Sequence, residues 1–365
     1  GQLASIHWRV AMVLVPVLSL LCLALVPLLL PTMPTVPGLR PDYAGMIVMA
    51  VAMVSFLYGV SQASRGLRSP EFLIPTILGL LLFAAYYLIE RRVVNPIFPP
   101  RLVASGIFAA AAVSGIAWNM AQATVQLQTS NFWQYVQGFT PGQVALGQVT
   151  MLVSFGLAGV LAGRMMGPGR RSISLMGFGF LALTGGLILM ALVFADTPYW
   201  VLGIMLFIFG IGLAFVSVPQ SALFVAEAPA ASFGPVTSFR TTVGQLGYAM
   251  GFAISAALVN SFGQTNLVGR LEKAGVEPSR LGQAMDDVRL FMQNGQNGTG
   301  SLAKQSIADL GPAYAAGFNW AMLISGVTVG LLGVITILLL VIGLRQQKDV
   351  TPPQASAPST STSAA

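Results

Sequence analysis

Polar side chains at helical spacing interrupt a very apolar sequence between residues 119 and 137. At about 100° per residue, these side chains share roughly one third of a helix surface: Asn119, Gln122, Gln126, Ser130, Trp133 and Gln137. Amides exposed to lipid are costly, so this face is expected to meet protein or a water-filled cavity. Two interpretations stay open: a cavity that offers neutral hydrogen bonds to a ligand, or hydrogen bonds between packed helices.

Two further apolar stretches contain residues able to do chemistry. Arg240 lies about two turns into one of them, where it either pairs with an anionic group or extends its side chain to the membrane surface. Pro219-Gln220-Ser221 interrupts another, where freed carbonyl groups line a cavity or the helix simply kinks. No acidic residue falls in the middle of an apolar stretch, and no His, Cys, Asp and Glu cluster has metal-ligand spacing. We therefore expect no metal and no cofactor.

The composition shows which elements must position these residues. The chain is 55% hydrophobic and 8% charged, whereas soluble domains are about a quarter charged, so most of it is expected to lie in lipid. A span needs about 20 apolar residues. Nine such segments are predicted, at residues 10–30, 43–60, 72–89, 108–130, 143–162, 173–195, 199–225, 233–262 and 314–344. The fold class is therefore an all-α polytopic membrane protein with about nine transmembrane helices.

The charges in the loops indicate orientation rather than a nucleic-acid partner. The net charge is +7, but no basic run is longer than two residues. The Lys and Arg distribution favours a cytoplasmic C-terminus, with the polar segment 263–312 as an extracytoplasmic loop that contains a short helix at 278–293. The Pro/Ser/Thr/Ala-rich segment 346–365 is predicted to be a disordered tail. A multi-pass protein of the inner or plasma membrane is expected.

Five stretches, in consistent order over about residues 7–344, resemble one family: "HWRVAMVLVP", "ERRVVNPIFPPRL", "FWQYVQGFTP", "GRMMGPGRR" and "RTTVGQLGYAMG". They are similar to the fourteen-helix drug:proton antiporters of the major facilitator superfamily, with that family's first five helices missing. The resemblance implies a major-facilitator-type bundle in which 1–31 is the last helix of the N-terminal bundle. Residues 32–102 would be two linking helices with a cytoplasmic link, and 103–345 the C-terminal six-helix bundle.

The resemblance also implies a function. It indicates proton-coupled efflux of amphipathic small molecules by alternating access, with the bilayer as surroundings and protons as the coupling ion. The expected substrate cavity then contains Asn119, Gln122, Gln126, Trp133, Gln220 and Arg240, although an aromatic belt at the lipid interface also accounts for Trp133. Two alternatives stay open: a natural half-transporter with an assembly or regulatory role, and an intramembrane transferase. The transferase is disfavoured because the loops lack the acidic or His-rich motifs of an enzyme.

Overall fold

The computed structural model describes residues 8–29, 42–65, 68–92, 105–167, 170–226, 233–284, 286 and 308–350. Within these ranges the chain forms helices and no strand. The long helices are α1 (Trp8–Leu29), α2 (Tyr43–Ser61), α3 (Pro70–Glu90), α4 (Gly106–Asn131), α5 (Pro141–Met165), α6 (Arg170–Met190), α7 (Tyr199–Ala226), α8 (Phe233–Lys273) and α9 (Leu310–Val350). Each predicted span lies on one of them, which confirms the all-α fold class.

One helix differs from the others in composition. In the described part of the chain, eight helices are long and apolar enough to cross a membrane, and α4 is not among them. Helix α4 has ample length, at 26 residues, so its amides and hydroxyls account for the difference. The helix that carries the polar face is thus the one whose passage through a membrane depends most on neighbouring protein.

The turn from α4 to α5 follows directly from the residues in "VQGFTPG". The helix widens into a π-helical turn at Phe132–Val136, and Gly138 then adopts a positive φ of 70° that ends it. Thr140 caps α5 through a capping box with Gln143, and Pro141 occupies its first turn. This part of the sequence resemblance therefore encodes a precise helix–helix turn.

Helix α4 lies at the centre of the packing of α4 to α9. It contacts α7, α8 and α9, while α5 packs on α7 and α6 lies against α7 and α9. Helices α2 and α3 pack on each other, and α2 also contacts α8. In α1, every side chain from residue 12 to residue 29 is exposed. The predicted division of the chain at residues 31, 102 and 345 remains a prediction.

Glycines set how closely α8 approaches α4. A Cβ added at Gly247 would stand 2.5 Å from the Ile116 carbonyl oxygen, and one at Gly251 would collide with the Met120 carbonyl oxygen. By contrast, no heavy atom lies within 4 Å of a Cβ added at Gly159 or Gly163. The same G-x-x-x-G spacing therefore marks a backbone contact in α8 and an open face in α5.

Both long C-terminal helices extend past the predicted spans. Helix α8 continues from the predicted end at Phe262 to Lys273, and α9 continues to Val350, so it includes the first five residues of the predicted tail. The short helix predicted at 278–293 is helical at 278–284. The rest of the tail lies outside the described residues, as do residues 93–102 of the predicted cytoplasmic link at 90–102.

Candidate functional site

Three amides of α4 share one side of the helix, as the spacing predicted. Asn119, Gln122 and Gln126 are all half-buried, and we call them the amide face. The Tyr248 hydroxyl of α8 donates to Gln126 Oε1 at 2.5 Å. Asn119 Nδ2 donates to the Gly115 carbonyl at 2.8 Å within its own helix. Gln122 makes no hydrogen bond to any other described residue, so the amide face retains unused donors and acceptors.

Helix α5 closes one end of the amide face. Gln148 Nε2 donates to Ser130 Oγ at 2.5 Å and to the Gln126 carbonyl at 3.0 Å. The Ser130 hydroxyl itself donates to the Gln126 carbonyl at 2.8 Å. The sequence pattern did not identify Gln148 or Tyr248. Gln148 is nevertheless an amide in the interior of an apolar span, and that signal would have found it.

The opposite side of α4 carries a second polar group, which is fully engaged. Gln128 is 1% exposed. Its Nε2 donates to Ser255 Oγ of α8 at 3.0 Å, and its Oε1 accepts from the Tyr314 hydroxyl of α9 at 2.8 Å. Gln128 therefore joins three helices as a structural residue. Hydrogen bonding between packed helices accounts for Gln128, which lies outside the predicted stripe. For the amide face, the choice between a cavity and helix packing remains a prediction.

Trp133 lies apart from the amide face. Its side chain is wholly buried, with its ring 5.0 Å from that of Tyr199 and packed directly against Gly147. Tyr199 in turn donates to the Gln143 carbonyl at 2.6 Å. The prediction assumed regular rotation along α4, but the π-helical turn at Phe132–Val136 interrupts that rotation. In this structure Trp133 borders no open space.

Gln137 is also structural. Its Nε2 donates to the Ala195 carbonyl at 3.2 Å and to the Thr197 carbonyl at 2.7 Å, both in the connection between α6 and α7. The predicted polar stripe therefore ends at Ser130. Beyond that residue the polar side chains hold the turns together.

Gln220 and Arg240 border the first half of α4. Gln220 is 1% exposed, and its Nε2 donates to the Ala111 carbonyl at 3.3 Å. Arg240 is half-buried on α8, one turn before Val243, which packs beside Gly115. Gln220 Oε1 and Arg240 Nε are both buried without a hydrogen-bond partner among the described residues. Each would gain from a polar group that moved into its reach.

The described side chains offer little to hold a metal or a second charge near Arg240. No group of three or more His, Cys, Asp or Glu side chains there is placed to hold a metal ion. No described carboxylate lies within ion-pair distance of Arg240. The ion pair between Arg270 and Asp309 is at the other end of α8. The described side chains of the candidate site are therefore neutral amides, hydroxyls and one cation.

Comparisons with known proteins identify the family of the chain. The sequence model of the Major Facilitator Superfamily matches residues 1–252. The methylenomycin A resistance protein of Streptomyces coelicolor is 26% identical over 215 residues, which cover 59% of this chain and 45% of that protein. The puromycin resistance protein of Streptomyces alboniger is 24% identical over 223 residues, which cover 60% of this chain and 44% of that protein. The chain thus spans about half the length of these relatives.

A tetracycline resistance determinant of Streptomyces rimosus is 23% identical over 340 residues, which cover 88% of this chain and 96% of that protein. Among solved structures, a bacterial homolog of the human lysosomal transporter Spinster, inward-facing and unoccupied, has a TM-score of 0.51 at 15% identity. The match covers 85% of this chain and 71% of the Spinster homolog. At this identity the likeness supports the fold alone.

The family match covers more than half of the chain and confirms the superfamily that the motif resemblance indicated. The apolar helices make it a multi-pass membrane protein. By this match, the chain belongs to the Major Facilitator Superfamily.

Proposed function

We propose that this chain works in a transporter that expels amphipathic small molecules across the inner or plasma membrane. Family membership supports transport, and the relatives' names support efflux, since they refer to resistance to methylenomycin A, puromycin and tetracycline. We further propose alternating access driven by protons, which rests on the resemblance to drug:proton antiporters.

The observation that carries the proposed site is the unequal use of two amides on one helix. Gln128 uses both ends of its amide on α8 and α9, whereas Gln122 uses neither end within the described bundle. A half-buried amide without a partner is costly in lipid, so the amide face suits water or a bound molecule. Neutral hydrogen bonds in an otherwise apolar surface suit ligands of varied structure.

The remaining predicted residues take different places in this proposal. Asn119, Gln122 and Gln126 form the proposed substrate surface, and Trp133 is left out because it is wholly buried. Gln220 and Arg240 would meet substrate only in a state in which the helices around them separate. Arg240 would then pair with an anionic group of the substrate or with a carboxylate of another helix.

Two variants test the proposed surface: Gln122→Leu and its matched control Gln128→Leu. Both are made in the native gene, in cells that lack other exporters, and resistance to a panel of amphipathic antibiotics is measured. Gln122→Leu should change the ratio of resistance between compounds about tenfold, since a polar site discriminates by its hydrogen bonds, with normal protein in the membrane. Gln128→Leu should reduce the amount of protein and leave the ratios unchanged.

Three outcomes would overturn parts of the proposal. Unchanged ratios for Gln122→Leu, at normal protein amounts, would remove the amide face from the substrate path. Efflux that persists after a protonophore abolishes the proton gradient would exclude protons as the driving ion. Unaltered resistance on deletion of the gene would favour a half-transporter with an assembly or regulatory role.

A further inference from the structure

A groove of about 500 Å³ lies between the C-terminal part of α8 and the start of α9. It is distant from the amide face, because α8 rises about 21 Å between Tyr248, the partner of Gln126, and Phe262. The rise from Arg240 to Phe262, about 33 Å, matches the thickness of the hydrocarbon core, about 30 Å. The groove begins at Phe262 and continues outward to Lys273. It therefore lies at the membrane surface opposite to the end of α8 that carries Arg240.

The groove changes from aromatic to basic along the axis of α8. At its inner end Phe262 and Trp320 stack with ring centroids 5.2 Å apart, and Trp320 is 49% exposed. At its outer end are Arg270 and Lys273, both exposed. Aromatic rings of this kind favour the interfacial region of a bilayer. The described lining contains no carboxylate.

Arg270 is held in place with donors left over. Its Nε donates to Asn266 Oδ1 at 2.8 Å, which fixes the guanidinium beside the groove. Its Nη1 is 3.9 Å from Asp309 Oδ1, too far for a hydrogen bond. Arg270 and Asp309 thus form an ion pair without a hydrogen bond, and the Nη donors can still hydrogen-bond an anion that competes with Asp309. Gly269 also lines the groove. A Cβ added there would have no heavy atom within 4 Å, so a ligand can approach the backbone at this position.

We propose that this groove binds an anionic phospholipid of the adjacent leaflet, with the phosphate on Arg270 and Lys273 and the glycerol and upper acyl carbons on Phe262 and Trp320. The order of the groups decides in favour of a lipid over a free anion. A phospholipid presents phosphate outward and hydrocarbon inward, as the groove does, whereas a free phosphate would leave the aromatic end unused. Basic residues at the membrane surface attract anionic headgroups.

The test is native mass spectrometry of the intact protein in detergent, supplied with equal amounts of phosphatidylglycerol and phosphatidylcholine. We expect about tenfold more phosphatidylglycerol than phosphatidylcholine to remain bound, given two basic residues at the membrane surface. Gly269→Leu should abolish most of this preference, because the new side chain enters the open space of the groove. Leu is a better helix former than Gly, so α8 should keep its structure.

Matched controls separate the groove from surface charge in general. Gly282→Leu also enters open space, but outside the groove, and should keep the lipid preference. The double variant Arg270→Gln/Lys273→Gln should lose it, whereas Arg280→Gln, an exposed cation elsewhere in the same region, should not. Preference that survives both Gly269→Leu and the double variant overturns the proposal. Displacement of the lipid by inorganic phosphate alone would show a simple anion site and overturn it as well.

Discussion

One added methyl group at Gly247 tests the contact between α4 and α8. The new Cβ would stand 2.5 Å from the Ile116 carbonyl oxygen and 2.7 Å from its Cα, whereas ordinary van der Waals contact begins at 3.4 Å. Because the obstacle is backbone, it has no rotamer by which to move away, and the helices must separate by about 1 Å. Overpacking of this kind costs about 1–3 kcal/mol.

The same substitution also stabilises the helix, because Ala is a better helix former than Gly. The net change in stability is therefore the overpacking cost minus this gain. Because the obstacle is backbone, the upper part of the overpacking range applies, about 2–3 kcal/mol. Replacing Gly by Ala inside a helix contributes up to about 1 kcal/mol, which leaves a net destabilisation of about 1–2 kcal/mol for Gly247→Ala. Gly159→Ala is the matched control in α5. It meets no heavy atom within 4 Å and should gain up to about 1 kcal/mol. The change in the free energy of unfolding should therefore have opposite signs in the two variants.

The assay is thermal unfolding of the purified protein in detergent, followed by the fluorescence of its 5 tryptophans. We expect a lower midpoint for Gly247→Ala and an unchanged or higher midpoint for Gly159→Ala. Equal shifts would refute the reasoning, since they would mean that the two G-x-x-x-G pairs have equivalent surroundings. A large loss for Gly159→Ala alone would show that another helix covers that face of α5.

Two further substitutions test the turn that follows α4. Thr140→Ala removes the capping box of α5 and should lower the free energy of unfolding by about 1 kcal/mol, seen as a lower thermal midpoint; an unchanged midpoint would argue against the cap. Trp133→Ala empties the space beside Gly147 and should cost about 3–5 kcal/mol, so the yield of folded protein should fall sharply. Normal yield with altered resistance ratios would instead return Trp133 to the substrate surface.

The helices were predictable because the bilayer fixes their length, so each apolar segment of about 20 residues lies on an observed helix. The extension of α8 beyond Phe262 was not predictable in the same way. Outside the hydrocarbon a helix continues only if side chains bury one face of it, and here Leu267 and Leu271 pack against Ala284 and Ala313. Their i, i+4 spacing was visible in the sequence, but the surface that covers them comes from distant segments.

For the site, periodicity was enough to place the amides and insufficient to pair them. It assigned Asn119, Gln122 and Gln126 to one face of α4, and the structure agrees. It gave no means of finding Tyr248, the partner of Gln126 from 122 positions further along the chain. Nor did it separate structural from open amides, because that difference depends on which neighbouring helix lies opposite each one.

Polar residues on two opposite sides place a strong constraint on α4. If either side faced hydrocarbon, its amides would lose their hydrogen bonds to water without replacement, which is costly. Both sides must therefore meet protein or water. Helices α8 and α9 satisfy this condition at Gln128. At Gln122 none of the described side chains does so. Whatever covers Gln122 in the membrane must itself be polar or wet, and a path for substrate meets that condition while also explaining why the amide remains unpaired.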